Sequence, residues 1–161
     1  MDERIPVNKS KENDPNYRYW MNKLKVSEIN NETIIENLEE VSNILNYPVE
    51  ILLKFLSSEV GTSNIQPNKL KGIFIGEKLQ ILIYKFIDEF KICSTCETPE
   101  LKPYIDSKKL MNRCSSCGTT VEIKNTNYKK SYNSIKNYLS NNDWPLASGF
   151  IVDNNSDDDD F

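Results

Sequence analysis

Four cysteines, Cys93, Cys96, Cys114 and Cys117, are the only ones in this 161-residue chain, and they fall in two C-x-x-C pairs. Two thiolates three positions apart in a tight turn share one tetrahedral ion, and a second such turn completes an S4 shell suited to zinc. A seventeen-residue arm, 97–113, separates the pairs, and Gly118 follows the second pair where the backbone must turn sharply. This is the spacing of a zinc ribbon. Two disulfides are the alternative, but nothing else in the chain looks secreted. Four thiolates close the coordination shell, so such a site is structural rather than catalytic.

The chain contains no histidine. That removes imidazole general-base chemistry, Ser–His and Cys–His nucleophile pairs and the H-E-x-x-H metalloprotease helix together. With the cysteines engaged by metal, no thiol nucleophile remains. The five glycines include no G-x-x-x-x-G-K pattern, so the chain is not itself an NTPase. These exclusions predict a protein that is not an enzyme.

The knuckles need elements to hold them. The length suits one ordinary domain or two small ones, and 38% hydrophobic residues suit a modest core. The predicted fold class is α+β, a small αβ module followed by a C4 zinc ribbon and a disordered acidic C-terminal tail. Residues 1–16, with Pro6 and Pro15, read as a flexible N-terminal arm. Tyr17-Arg18-Tyr19-Trp20-Met21 follows as an aromatic patch; on composition the rings pin the arm to the domain and Arg18 is solvated.

The αβ module spans 17–90. Thr33-Ile34-Ile35 reads as a strand, and Asn37 with Glu40 as a capping box opening a helix with Leu38, Val41 and Leu45 on one face. Pro48 suits the start of a second helix, striped by Ile51, Leu52, Phe55 and Leu56 and closed by Gly61. Residues 64–70 read as a turn or short hairpin, and Lys71–Ile75 as a strand with Ile73 and Ile75 on one face. A third helix, Glu77–Phe90, carries a wide stripe of Leu79, Leu82, Ile83, Phe86, Ile87 and Phe90. It enters the ribbon, 91–124, with no linker, which predicts a fixed or semi-fixed angle between them. A basic helix over 125–139 and an acidic disordered tail over 140–161 complete the chain.

Charge is divided sharply. Residues 91–140 hold nine Lys/Arg against four Asp/Glu, whereas 141–161 hold six acids and no base. A basic ribbon beside an acidic tail predicts a nucleic-acid contact with a separate protein contact or self-masking segment. No apolar run reaches the length of a membrane span and the first residues lack a signal-peptide core, which predicts a reducing, cytoplasmic setting and no membrane partner.

The stretch Thr33–Asn37, then Ile51–Leu56 with Glu59-Val60-Gly61-Thr62-Ser63, and Ile92–Cys96 resemble the beta subunit of translation initiation factor 2. Tyr17-Arg18-Tyr19-Trp20-Met21 and Cys96-Glu97-Thr98-Pro99-Glu100 instead resemble the opening of translation initiation factor 5, which shares this homologous module. The resemblance covers residues 16 to about 139 and leans to factor 5. Sixteen residues precede Tyr17 and hold no lysine block of the kind that factor 2 beta carries upstream. The chain departs from factor 5 in lacking its helical C-terminal domain and in having Glu32 at the family's strand lysine.

The resemblance implies an initiation factor acting on the small-subunit preinitiation complex in start-codon selection. It makes Arg18 an arginine supplied in trans to the GTPase of factor 2 gamma, with Lys54 a second candidate for a phosphate or tRNA contact. Lys102, Lys108, Lys109, Arg113, Lys124, Lys129, Lys130 and Lys136 become candidates to meet RNA backbone, and one Zn2+ is the implied cofactor. The implied partners are the small ribosomal subunit, factor 2 gamma and initiator tRNA, with other initiation factors docking at the acidic tail. Two further readings are a factor 2 beta-like structural subunit, and a zinc-ribbon transcription accessory protein.

Overall fold

The computed structural model describes residues 3–124 and 128–142; from residue 143 onward the expected acidic tail lies outside the described residues. The chain does not open on a flexible arm. Strand β1, Arg4–Pro6, pairs antiparallel with β2, Trp20–Asn22, across a short 3-10 turn at Lys9–Lys11. Val7 is fully buried, and the Tyr84 hydroxyl donates to the Pro6 carbonyl at 2.6 Å. Pairing and burial together offset the ordering entropy that a polar arm alone could not.

A four-stranded antiparallel sheet comes next, built from β3 (Val26–Ile29), β4 (Glu32–Ile35), β5 (Asn64–Ile65) and β6 (Lys69–Lys71) in the order β3-β4-β6-β5. Asn30 and Asn31 join β3 to β4 with φ of 52° and 62°, the two left-handed positions of a type I′ hairpin. The strand expected over Lys71–Ile75 ends instead at Lys71. Gly72, at φ 95°, turns the chain out of the sheet, and Thr33 takes over the local bonding. The Thr33 hydroxyl donates to the Gly72 carbonyl at 2.7 Å and accepts from the Phe74 amide at 3.0 Å. Ile73 and Ile75 are therefore exposed rather than sharing a buried strand face.

Four helices pack with this sheet: α1 (Leu38–Leu45), α2 (Val49–Val60), α3 (Gly76–Phe90) and α4 (Lys129–Asn141). Left-handed Asn46 and Gly61 terminate α1 and α2. Asn37 occupies the N-cap of α1, but the expected capping box does not form. Its side chain accepts from the Lys25 amide at 3.0 Å and donates to the Lys23 carbonyl at 2.9 Å, while the Glu40 carboxylate accepts from the Asn22 side chain. The two polar side chains fasten residues 22–25 to α1 instead.

The core centres on rings. Phe86 lies 4.9, 5.1 and 4.8 Å from the ring centres of Tyr47, Phe55 and Phe90. Ile135 of α4 and Leu110 and Ile123 of the ribbon join the same buried cluster, and Tyr128 packs on Phe55 at 5.4 Å. The basic helix is thus seated on the body along α2. Phe86→Ala should cost about 3–5 kcal/mol, read as a lowered urea midpoint with an unchanged slope.

The ribbon sheet is β7 (Leu101–Asp106), β8 (Lys109–Cys114) and β9 (Thr120–Glu122), in that order. Lys91 fixes its angle to α3. This lysine is buried, its ammonium donates to the Leu101 carbonyl at 2.8 Å, and its own carbonyl accepts from the Leu101 amide at 3.3 Å. The ammonium also stands 5.7 Å from the Tyr47 ring. Burial pushes its pKa down to about 7.

Candidate metal centre and the arginine loop

The two knuckles repeat one local plan. The Glu97 amide donates to the Cys93 carbonyl at 2.8 Å and the Gly118 amide to the Cys114 carbonyl at 2.9 Å, closing each turn. The Cys93 amide in turn donates to the Thr98 carbonyl and the Cys114 amide to that of Thr119, both at 2.9 Å. The residue after each second cysteine is left-handed, Glu97 at φ 64° and Gly118 at φ 80°. In sequence both knuckles read C-x-x-C-x-T, a repeat that marks the threonines as well as the cysteines.

The four sulfurs lie within 4.8 Å of one another, the one such cluster of metal-type ligands among the described residues. Cys93 to Cys117 is 3.7 Å and Cys96 to Cys114 is 3.6 Å. A tetrahedron with metal–sulfur bonds of about 2.3 Å has edges of about 3.8 Å, so this shell fits a single metal ion, and a disulfide of about 2.05 Å is excluded between these pairs. Thr98 and Thr119 hydroxyls stand 3.1 Å from the sulfurs of Cys96 and Cys117. The Thr98 hydroxyl and amide hold the Cys96 thiol down to about 6, and Thr119 lowers Cys117 in the same way. Burial raises Cys114. Donors aimed at the sulfurs favour the thiolate form that metal requires.

Gly118→Ala should weaken metal binding by about 1 kcal/mol, roughly fivefold, because the left-handed backbone penalises a Cβ. Nothing lies within 4 Å of that Cβ, so the effect is backbone strain alone. Glu97→Gly should act in the opposite direction at the matching position. Competition with a colorimetric chelator reads both.

Against the first knuckle lies the N-terminal loop that carries Arg18. The Arg18 side chain is exposed between half-buried Tyr17 and Tyr19. The Tyr19 hydroxyl donates to the Glu100 carboxylate at 2.8 Å, and Lys11 pairs with Glu97 at 3.3 Å. The aromatics do pin this segment, and what they pin it to is the ribbon.

The basic residues separate into three features. Lys102 and Arg113 stand directly opposite one another on β7 and β8, while Lys109 faces Asp106 and adjoins Lys108 in the hairpin turn. Lys124 lines a different cleft, with Asp88, Glu89 and Ile92. Lys130 meets Lys54 in a groove of about 440 Å³ between α2 and α4, edged by Ser58, Thr62, Asn64 and Ser134. Lys129 is exposed in the first turn of α4, and Lys136 stands 5.8 Å from the Tyr132 ring.

Residues 8–120 match the family model described as the domain found in initiation factors 2B and 5. The chain belongs to that family. It is 33% identical over 119 residues to a eukaryotic translation initiation factor 5 of Caenorhabditis elegans, covering 68% of this chain and 27% of the relative. Against the factor 5 of Dictyostelium discoideum it is 35% identical over 112 residues, 65% of this chain and 28% of the relative. A translation initiation factor 2 subunit beta of Methanoregula boonei is 32% identical over 89 residues, 53% of this chain and 44% of the relative. The chain therefore spans between about a quarter and just under half of these relatives. The region matched by the family model encloses the Arg18 loop, Lys54 and all four cysteines, while α4 follows it. No described helix is long and apolar enough to cross a membrane.

Sequence reasoning missed Lys91, Thr98, Thr119 and Glu100, and read Tyr19 among rings that pin the arm without finding its partner. The threonines were legible in the C-x-x-C-x-T repeat. The other three draw their roles from partners distant in sequence and leave no local signal.

Proposed function

We propose that this member of the initiation-factor family acts in the manner of factor 5 on the small-subunit preinitiation complex. It promotes GTP hydrolysis by the gamma subunit of factor 2, with initiator tRNA bound, through Arg18 supplied in trans during start-codon selection. Cys93, Cys96, Cys114 and Cys117 hold one structural Zn2+, whose contribution is to fix the ribbon. The observation that carries the reading is Arg18 itself, a solvent-facing guanidinium on a loop held at both flanks by half-buried tyrosines. A guanidinium so presented can stabilise charge that develops on a transferring γ-phosphoryl group. The deciding experiment is GTP hydrolysis by the ternary complex with wild type and Arg18→Ala.

The same body meets RNA backbone through Lys102, Lys108, Lys109 and Arg113 on the ribbon, Lys124, Lys129 and Lys136, and Lys130 with Lys54 in the α2–α4 groove. Lys102 opposite Arg113 is a like-charge pair, which weakens a ladder unless an anion relieves it. Such contacts are salt-sensitive and largely blind to sequence. In fluorescence anisotropy with a single-stranded RNA, Lys102→Ala with Arg113→Ala should flatten the salt dependence of log K by about 1.4, at roughly 0.7 per phosphate contact.

A further inference from the structure

The loop that carries Arg18 is shaped by its own rings and anchored from the ribbon. The Trp20 indole N–H donates to the Tyr17 carbonyl at 2.7 Å, closing a bond across Arg18. The Tyr17 ring packs edge-on against Tyr19 at 5.6 Å and Trp20 at 6.2 Å. The Val7 amide donates to the Tyr19 carbonyl at 2.9 Å, fixing the backbone one residue beyond Arg18. These contacts make a closed local unit. Met21 buries the following strand in the body core, and the tie from this unit across to the ribbon is the Tyr19 hydroxyl bond to the Glu100 carboxylate, 81 residues away in sequence. Glu100 is itself tied to the second knuckle, because its carbonyl accepts from the Ser115 amide at 3.0 Å.

We infer that Glu100, acting through Tyr19, is a positioning residue for Arg18, so that the metal ribbon holds the arginine loop in its working orientation without touching any reacting atom. This deepens the factor 5 reading of Arg18 and rests on it. The physical need is plain. An arginine supplied in trans loses orientational entropy at each encounter, and a loop already fixed in one conformation has less of it to lose. The bond is suited to that duty. Burial, with the Glu100 carboxylate beside it, pushes the Tyr19 hydroxyl up to about 12, so it remains a donor throughout the physiological range. The pairing of Lys11 with Glu97 adds a second, more exposed tie to the first knuckle.

Two substitutions separate positioning from bulk packing. Tyr19→Phe keeps the ring and removes only the hydroxyl; Glu100→Gln keeps an oxygen acceptor that Glu100→Ala removes. Each full-length, metal-loaded protein is assayed in two ways: trypsin cleavage of the Arg18–Tyr19 bond, followed by mass spectrometry, and the maximal rate and half-saturating concentration for stimulating factor 2 GTP hydrolysis. Tyr19→Phe and Glu100→Ala should speed cleavage by about tenfold, the population ratio that one hydrogen bond to a charged group sustains. They should lower the maximal rate by a similar factor with the half-saturating concentration unchanged, and Glu100→Gln should recover both. Unchanged cleavage and hydrolysis in Tyr19→Phe and Glu100→Ala, where Arg18→Ala abolishes stimulation, overturns the inference alone. Arg18→Ala leaving hydrolysis untouched overturns the reading on which it rests.

Discussion

Withdrawing the metal ion proposed for the four cysteines, by chelation or by Cys114→Ser, should unfold residues 91–124 while the helical body stays folded. The reason lies in how little else supports the knuckles. The cluster around them holds Cys93, Cys114 and Cys96 with Leu101 as its single other apolar member. Burial of one leucine contributes about 1.5–3 kcal/mol, whereas a structural zinc site contributes roughly 10–16 kcal/mol at neutral pH. The body has its own core around Phe86, Phe55, Tyr47 and Phe90, which no cysteine enters and to which the ribbon adds only Leu110 and Ile123 as buried residues. Hydrogen exchange should show the amides of β7 and β8 losing protection without metal while those of α2 and α3 keep it. Acid should do the same, since protons compete with the ion for thiolate. Metal analysis returning no zinc from well-folded protein, or β7 remaining protected in chelator, would falsify the metal centre.

Arg18→Ala should abolish stimulation of factor 2 GTP hydrolysis, a loss on the order of 10³–10⁵ in rate by analogy with other arginines supplied in trans. Arg18→Lys should fail nearly as badly, because an ammonium lacks the planar fork that spans two phosphoryl oxygens. Arg18 is exposed, so neither change should move the thermal midpoint or the metal content. Binding to factor 2, measured separately, should persist in both variants. Wild-type stimulation by Arg18→Ala would instead favour a structural role beside the gamma subunit.

Several features were open to reading without coordinates because their causes are local. The apolar stripes of α2 and α3 face the core as their spacing requires, and Gly61 closes α2 in the left-handed region. The hairpin at Asn30-Asn31 carried its own turn signal and went unread, as did Thr98 and Thr119. The errors have a common origin. Asn37 has the right spacing for a capping box, yet its side chain is better used bridging Lys23 and Lys25. Lys71–Ile75 has the right composition for a strand, yet Gly72 and the Thr33 hydroxyl divert it. In each case a contact from elsewhere outcompeted a local preference of a few tenths to one kcal/mol.

By itself the sequence determined that two C-x-x-C turns would gather four thiolates, that three apolar stripes would need a shared core, and that no imidazole was on offer. Those are short-range matters, set by residue type and spacing. The tertiary structure alone decided that residues 4–11 fold into the body, that buried Lys91 locks α3 to the ribbon, and that Tyr19 reaches Glu100 to hold the Arg18 loop. Each of these joins segments distant along the chain or in separate elements, and a hydrogen bond made on burial leaves no period in the sequence by which to foresee it.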